Sequence, residues 1–292
     1  MTYEKKQGLL INLAAYLLAF AIGFVPYYFL SESLGYIVSI FAFTVVSTVA
    51  LYVICVIFKN TSLYDPYWSV APLVMTIVHM VRFGVYTINS LIFSILILIY
   101  SMRLTINWFM TYKGIEPKYE DWRYKQYRAK YGRIQFEIIN FFGLLLIPTL
   151  VVYFALIPGL LFMASRTFNP LSIIGFAFML AGPILEFIAD HQSHKFIKEC
   201  NDHTEVCNIG LWNYSRHPNY LGELSFWFGV AICQLVLLNN YWMYSLGFIP
   251  MLLLFLFISI PMMEKHNIKR RPEYIEYKRK TSMLLILPRK KQ

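Results

Sequence analysis

Eight stretches of nearly unbroken apolar residues run through this chain: Leu9–Leu30, Gly35–Phe58, Trp68–Val81, Asn89–Met110, Phe141–Met163, Leu171–Ala189, Leu221–Leu238 and Tyr241–Pro261. Most approach the roughly 20 residues that a helix needs to cross a hydrocarbon core about 30 Å thick. Water cannot satisfy backbone groups at that depth, so runs of this kind fold as helices. Composition agrees, with 58% hydrophobic and 14% charged residues in 292, against roughly 25% charged in soluble domains. The expected fold is all-α, a polytopic transmembrane helical bundle of about 7–8 membrane-crossing helices. The third run is short and fits a buried or re-entrant helix as well as a span, which leaves seven or eight crossings open. Disorder, collagen-like repeats and a secreted disulfide scaffold are excluded.

The formal net charge is +10, and 17 of the 26 Lys and Arg lie in two polar segments, seven within Tyr112–Gln135 and ten within Glu264–Gln292. Such clustering marks cytoplasmic loops of an integral, multi-pass protein under the positive-inside rule. It predicts both termini on the cytoplasmic side of a bacterial inner membrane or the endoplasmic reticulum. The basic rim faces membrane lipids, whose anionic headgroups attract such loops, and no nucleic acid is expected. Lys5 and Lys6 precede the first run, and Ala19-Phe20-Ala21 resembles a signal-peptidase site, but the run is long enough to be an uncleaved helix. With no internal repeat or low-complexity linker, residues 1–292 read as one integral-membrane domain. It comprises N-terminal helices 1–110, a basic loop 111–140 and a C-terminal half 141–292.

Charges at membrane depth cost at least about 2.5–3.5 kcal/mol and usually face a cavity or a partner. Arg103, Glu186, Asp190 and Glu223 stand in or beside apolar runs. Glu186 and Asp190, spaced i and i+4, share one helix face; they are either structural partners of arginines or part of a polar cavity. The segment from His191 to Tyr220 holds His191, His194, Cys200, His203, Cys207 and His217, but their order matches no usual zinc-site spacing, so no metal is expected.

The sharper feature is Gly210-Leu-Trp-Asn-Tyr-Ser-Arg-His-Pro-Asn-Tyr-Leu-Gly-Glu223. Pro218 suits the first turn of a helix. Arg216 offers a planar fork for phosphate, and a helix N-terminus favours anions. Trp212 and Tyr214 supply stacking faces, and Asn219 can read an amide or a hydroxyl. Together these are the parts of a nucleotide pocket. An interfacial aromatic belt accounts for the rings but poorly for consecutive Arg-His-Pro-Asn-Tyr. Downstream, Glu264, Arg270, Arg271, Tyr274 and Tyr277 mark the basic tail as more than a solvated one.

Four blocks together resemble the steroid 5α-reductase-like integral membrane reductases, especially their bacterial-type branch, distantly related to sterol C14 reductases. They are Asp65-Pro-Tyr-Trp68, Arg103-Leu104 with Tyr119-Glu-Asp-Trp-Arg-Tyr124, Leu211 to Glu223, and Arg270 to Ser282. The resemblance covers roughly residues 60–290 and implies a cytosol-facing NADPH cavity in the C-terminal half, with 1–110 on the substrate side. By it, Asp190, Lys195, Trp212, Arg216, His217, Asn219, Tyr220, Glu223, Arg270, Arg271, Tyr274 and Tyr277 are cofactor contacts. The chain reads Asp190-His-Gln-Ser-His-Lys-Phe196 where the family has lysine at the position of Ser193; Lys195 or Lys198 is then the substitute charge.

The implied activity is that of an NAD(P)H-dependent ene-reductase: reduction of an activated carbon–carbon double bond in a lipophilic, steroid-like or other enone lipid. Hydride adds to the β-carbon while a protein acid polarises the carbonyl oxygen. The chain lacks the family's Gln-Glu pair at an obvious position, and Asp65 and Tyr67 are the substitutes; helix capping is the competing role for Asp65. The alternative is an S-adenosylmethionine-dependent methyltransferase of the isoprenylcysteine or phospholipid type, which shares the Arg-His-Pro-x-Tyr signature.

Overall fold

A computed structural model describes residues 3–165, 168–200 and 205–289. Among them lie ten helices: α1 (Tyr3–Leu30), α2 (Gly35–Phe58), α3 (Tyr67–Phe83), α4 (Ile88–Thr111), α5 (Trp122–Lys130), α6 (Arg133–Ala164), α7 (Ser172–Glu199), α8 (Pro218–Leu235), α9 (Trp242–Arg270) and α10 (Tyr274–Lys280). The described chain has no strand, only an isolated bridge between Ser215 and Ser282. The all-α, polytopic reading therefore stands. Two helices change pitch: Ile139–Leu146 of α6 and Phe255–Ser259 of α9 are π-helical.

Six helices, α1, α2, α4, α6, α7 and α9, are long and apolar enough to cross a membrane. The other two predicted crossings are α3, with 17 residues, and α8, with 18 residues and Glu223 in its second turn. At 1.5 Å per residue they measure about 26 and 27 Å. Both lie against a longer apolar helix. Ser69, near the start of α3, bonds Thr105, near the end of α4, at 2.8 Å, and α3 ends at Gly84. Gly84 has φ 60°, a left-handed cap that favours glycine.

The chain forms two compact units, Met1–Tyr86 with Ser101–Ile157, and Thr87–Tyr100 with Pro158–Gln292. In the first, helix ends meet in two places. Asn12 donates to the Tyr112 hydroxyl at 2.9 Å, Asn60 donates to the Ile115 carbonyl at 2.8 Å, and the Tyr124 hydroxyl donates to Asp65 at 2.7 Å, all at one end. Arg82 pairs with Glu32 at 3.1 Å at the other. Between them the buried hydroxyls bond backbone or one another: Tyr16 to the Leu63 carbonyl at 3.0 Å, Tyr67 to the Thr44 carbonyl at 3.2 Å, and Tyr64 with Thr149 at 2.8 Å. Buried polar groups need such partners in an apolar interior.

In the second unit α7 and α8 cross on glycines. A Cβ added to Gly182 would lie 2.6 Å from the Gly222 carbonyl oxygen, and one added to Gly229 would lie 2.5 Å from that of Gly175. Residue numbers rise along one helix as they fall along the other, so the pair is antiparallel. Small residues let helix backbones approach where lipid offers no hydrophobic drive for association. The Tyr100 ring stacks on Phe226 at 4.0 Å, closing the core beside this crossing.

Candidate active site

The sequence motif at 210–223 folds as a 3-10 turn, Gly210–Asn213, leading into α8 with Pro218 in its first turn. Gly210 takes φ 53° and opens the turn against Gln192 of α7, whose side-chain oxygen accepts the Leu211 N–H at 2.8 Å. The Trp212 indole N–H donates to the Ala189 carbonyl at 2.9 Å, tying the turn to the end of α7. From the other side comes the tail. Arg216 N–H donates to the Ser282 carbonyl at 2.9 Å, the Ser215 hydroxyl to the Leu284 carbonyl at 2.7 Å, and the Tyr277 hydroxyl to the Trp212 carbonyl. Trp212, Tyr277 and the start of α8 are thus one assembly.

Its charged centre is Glu264 on α9. The Arg216 Nε lies 2.9 Å and the His217 Nε2 3.5 Å from Glu264 Oε1, while Lys278 Nζ lies 2.6 Å from Oε2. Arg216 also donates to the Lys278 carbonyl. The Glu264, Arg216 and His217 side chains are 5%, 8% and 6% exposed, whereas Lys278 is 46% exposed and reaches outward. Burial pushes the His217 imidazole below its ordinary pKa, and Glu264 opposes that shift. The His217 ring stacks on Tyr220 at 5.2 Å, and Tyr220 meets Phe255, in the π-helical turn of α9, at 4.9 Å. The Arg216 Nε, His217 Nε2 and Glu264 Oε1 atoms are buried within ion-pair reach yet out of hydrogen-bond alignment.

The remaining predicted contacts divide. Asn219 donates to Asp190 at 3.4 Å, joining α8 to α7. Glu223 is buried and accepts from the Tyr100 hydroxyl at 2.6 Å and the Trp227 indole at 2.8 Å. Tyr274 is buried with its ring 5.4 Å from that of Tyr277. Lys195 projects from the exposed face of α7, 3.9 Å from Glu199, and Arg270 is exposed at the end of α9; neither joins the Glu264 cluster. Arg271 is half-buried just beyond α9. Arg216 itself is committed to Glu264 rather than held open. Sequence reasoning singled out Glu264 without assigning its central place, and Tyr100 carried no signal beyond lying in an apolar run. His203 lies outside the described residues.

Asp65 and Tyr67 belong to the first unit and point to different surroundings. The Tyr67 hydroxyl is committed to the Thr44 carbonyl in the core, where the residue is 1% exposed. The Asp65 carboxyl is partly exposed and accepts from the Tyr124 hydroxyl at 2.7 Å, with Arg123 at 3.4 Å. Burial pushes it up to about 6, against the pull of Arg123. It does not cap α3: the N-cap is Pro66, with no side-chain cap bond. The Tyr119–Tyr124 block holds it in place. Glu120 accepts the Thr61 N–H at 2.9 Å and pairs with Arg128 at 2.8 Å, and Asp121 N–H donates to the Ser62 hydroxyl at 2.7 Å.

No solved structure matches the chain. A curated relative, an uncharacterized protein of Schizosaccharomyces pombe, is 26% identical over 210 residues, covering 62% of this chain and 60% of the relative's own length. The chain therefore spans less than two thirds of that protein. A family model described as a protein of unknown function, DUF1295, matches residues 51–281, and that family includes steroid 5α-reductase-like proteins. The match takes in the Asp65 block, the 210–223 motif and the Glu264 centre, and the chain belongs to the DUF1295 family.

Proposed function

We propose that this protein is a membrane reductase that uses NADPH to reduce an activated carbon–carbon double bond in a lipophilic substrate. The observation that carries the reading is the convergence of Arg216, His217 and Lys278 on Glu264, beside Trp212 and the Asp190–Asn219 pair. The cofactor fits this set of donors. Arg216 and His217 are spent on Glu264 and act by holding the motif to α9, behind the surface a ligand meets. Lys278 supplies a reachable cation for phosphate. Tyr220 offers a ring face, and Asp190 with Asn219 offers acceptor and donor to a hydroxyl or an amide. When bound, NADPH supplies the hydride.

The chain's own contribution to chemistry is proton control. Asp65, raised to about 6, holds a proton just below neutral pH and can lend it to a carbonyl oxygen, as a general acid does best near its working pH. Tyr67, with its hydroxyl bonded to backbone, serves the fold at that position.

Thermal-shift titration of the purified protein with NADPH, NADH and S-adenosylmethionine tests the reading. A ligand at 100 times its Kd stabilises the folded state by about 2.7 kcal/mol. NADPH is expected to raise the melting temperature, and Arg216→Ala to abolish the rise. A rise with S-adenosylmethionine alone would make the protein a methyltransferase.

A further inference from the structure

The tail that follows α10 carries exposed apolar surface outside every long helix. Met283, Leu285, Ile286 and Leu287 are between 38% and 56% exposed, and Tyr214, bonded to Leu287, is exposed as well. The segment is nonetheless held in one place along the 210–223 motif. The Ser215 hydroxyl donates to the Leu284 carbonyl at 2.7 Å, the Leu287 N–H to the Tyr214 carbonyl at 3.4 Å, and the Arg289 side chain to the Asn213 carbonyl at 3.2 Å. Its height in the second unit is fixed too. Trp212, in the turn to which the tail is bonded, donates to the carbonyl of Ala189, where the apolar run of α7 ends. A held cluster of exposed apolar side chains marks a surface that a partner covers, and this one stands where an apolar run gives way to polar chain.

Charge says what the partner is. Residues 278–292 hold six basic residues and no acid. The acids that meet them are Glu264, 2.6 Å from Lys278, and Glu276, 2.5 Å from Lys280. Glu264 also pairs with Arg216, so seven cations stand against two acids. Widening the count to 264–292 gives ten basic residues against three acids. A second copy of this chain would bring the same cations to a self-complementary contact and be repelled. An anionic leaflet matches both features, its headgroups taking the charges and the acyl boundary the side chains.

We infer that Met283, Leu285, Ile286 and Leu287 insert at headgroup depth into a leaflet containing anionic lipid, where the basic residues of the same segment hold them. Through its bonds to residues 213–215 the tail then braces the motif against the membrane surface. The inference stands apart from the reductase reading, since no cofactor or substrate enters it.

The test uses the full-length protein in lipid nanodiscs, its four native cysteines replaced and a single cysteine at Ile286 labelled with the fluorophore NBD. Discs contain phosphatidylcholine alone or with an equal part of phosphatidylglycerol, and both carry a lipid with a doxyl quencher near its headgroup. Emission is expected to be blue-shifted and quenched roughly twofold or more strongly in the phosphatidylglycerol discs, because each cation near an anionic surface favours the inserted state. Arg279→Gln/Lys290→Gln/Lys291→Gln is expected to lose that difference, and Lys125→Gln/Lys130→Gln, changed in the other basic segment, to keep it. Water-like emission in both discs overturns the inference, because the strip then faces solvent. Equal quenching in both sinks it too, since the charge of the leaflet would play no part. Blue-shifted emission without quenching refutes it in favour of a protein surface, a second copy included. Retention of the lipid difference in the triple variant, or its equal loss in the control, counts against it in the same way.

Discussion

At the scale of single residues, Glu264 is the group on which the second unit's charges depend. Removing one partner of a buried ion pair costs about 3–5 kcal/mol, because the other charge stays behind. Glu264→Gln is therefore expected to lower stability by about that much in denaturant or thermal unfolding. Lys278→Ala, at a half-exposed partner, should cost no more than about 1 kcal/mol. A near-native melting temperature for Glu264→Gln would remove it from the centre. Asp65 gives a pH test. Its folded pKa, about 6, stands above its ordinary value of 3.8, so the folded state binds the proton more tightly than the unfolded chain does. Its contribution is most favourable below pH 4 and is lost as pH rises from 4 to 6, by on the order of 2–3 kcal/mol. Asp65→Asn should flatten that part of the stability profile; a parallel profile for variant and parent would place the carboxyl in water. The 210–223 motif was legible residue by residue, because its types and order are unusual before an apolar run. Glu264's role was not legible: nothing local distinguishes a glutamate near the end of a helix from one that gathers two cations and an imidazole.

At the scale of helices, the α7–α8 crossing decides how close Asp190 and Asn219 can come. A Cβ on Gly222 would fall 2.4 Å from the Glu186 Cγ and 2.7 Å from the Gly182 carbonyl oxygen. Gly222→Val is thus expected to push the helices apart, costing about 1–3 kcal/mol or more, and to weaken the Asn219–Asp190 link one turn away. Circular dichroism should show helix content kept while the melting temperature drops. An unchanged melting temperature would mean that the pair is not close-packed. Apolar runs located the eight long helices among the described residues, with ends shifted by up to ten residues, as where α7 continues from Ala189 to Glu199. For α6 the helix begins at Arg133, eight residues before its apolar run, because polar residues with good helix propensity extend it beyond the hydrocarbon. The third run, α3, is the one whose crossing the sequence leaves open, and with 17 residues it is not among the six helices long and apolar enough to cross.

At the scale of the whole molecule, six helices are long and apolar enough to cross a membrane, and a reading with eight crossings predicts both termini on one side. The same reading predicts the basic segments at 112–135 and 264–292 on that side, as positive-inside loops. Single cysteines at Lys5, Lys125 and Lys280 in a background lacking the native four are expected to react with an impermeant maleimide from the cytoplasmic face only. Cysteines at Ser33, Tyr86 and Asn239 should react only from the opposite face. Opposite labelling of Lys5 and Lys125 would mean that α3 does not cross.

Amino-acid order alone settled that this chain is helical, where its helices lie, which segments carry the positive charge, and which short motif is unusual in its residues. All of these are local properties, written in runs and neighbours, and the hydrocarbon core reads them segment by segment. Pairing across the fold was decided elsewhere. That Arg216 spends its charge on Glu264, that Tyr67 is sealed in a core while Asp65 opens to a cleft, and that Tyr100 reaches Glu223 all depend on segments far apart in the chain. Periodicity says which face of a helix is buried; only close packing selects the side chain that meets it.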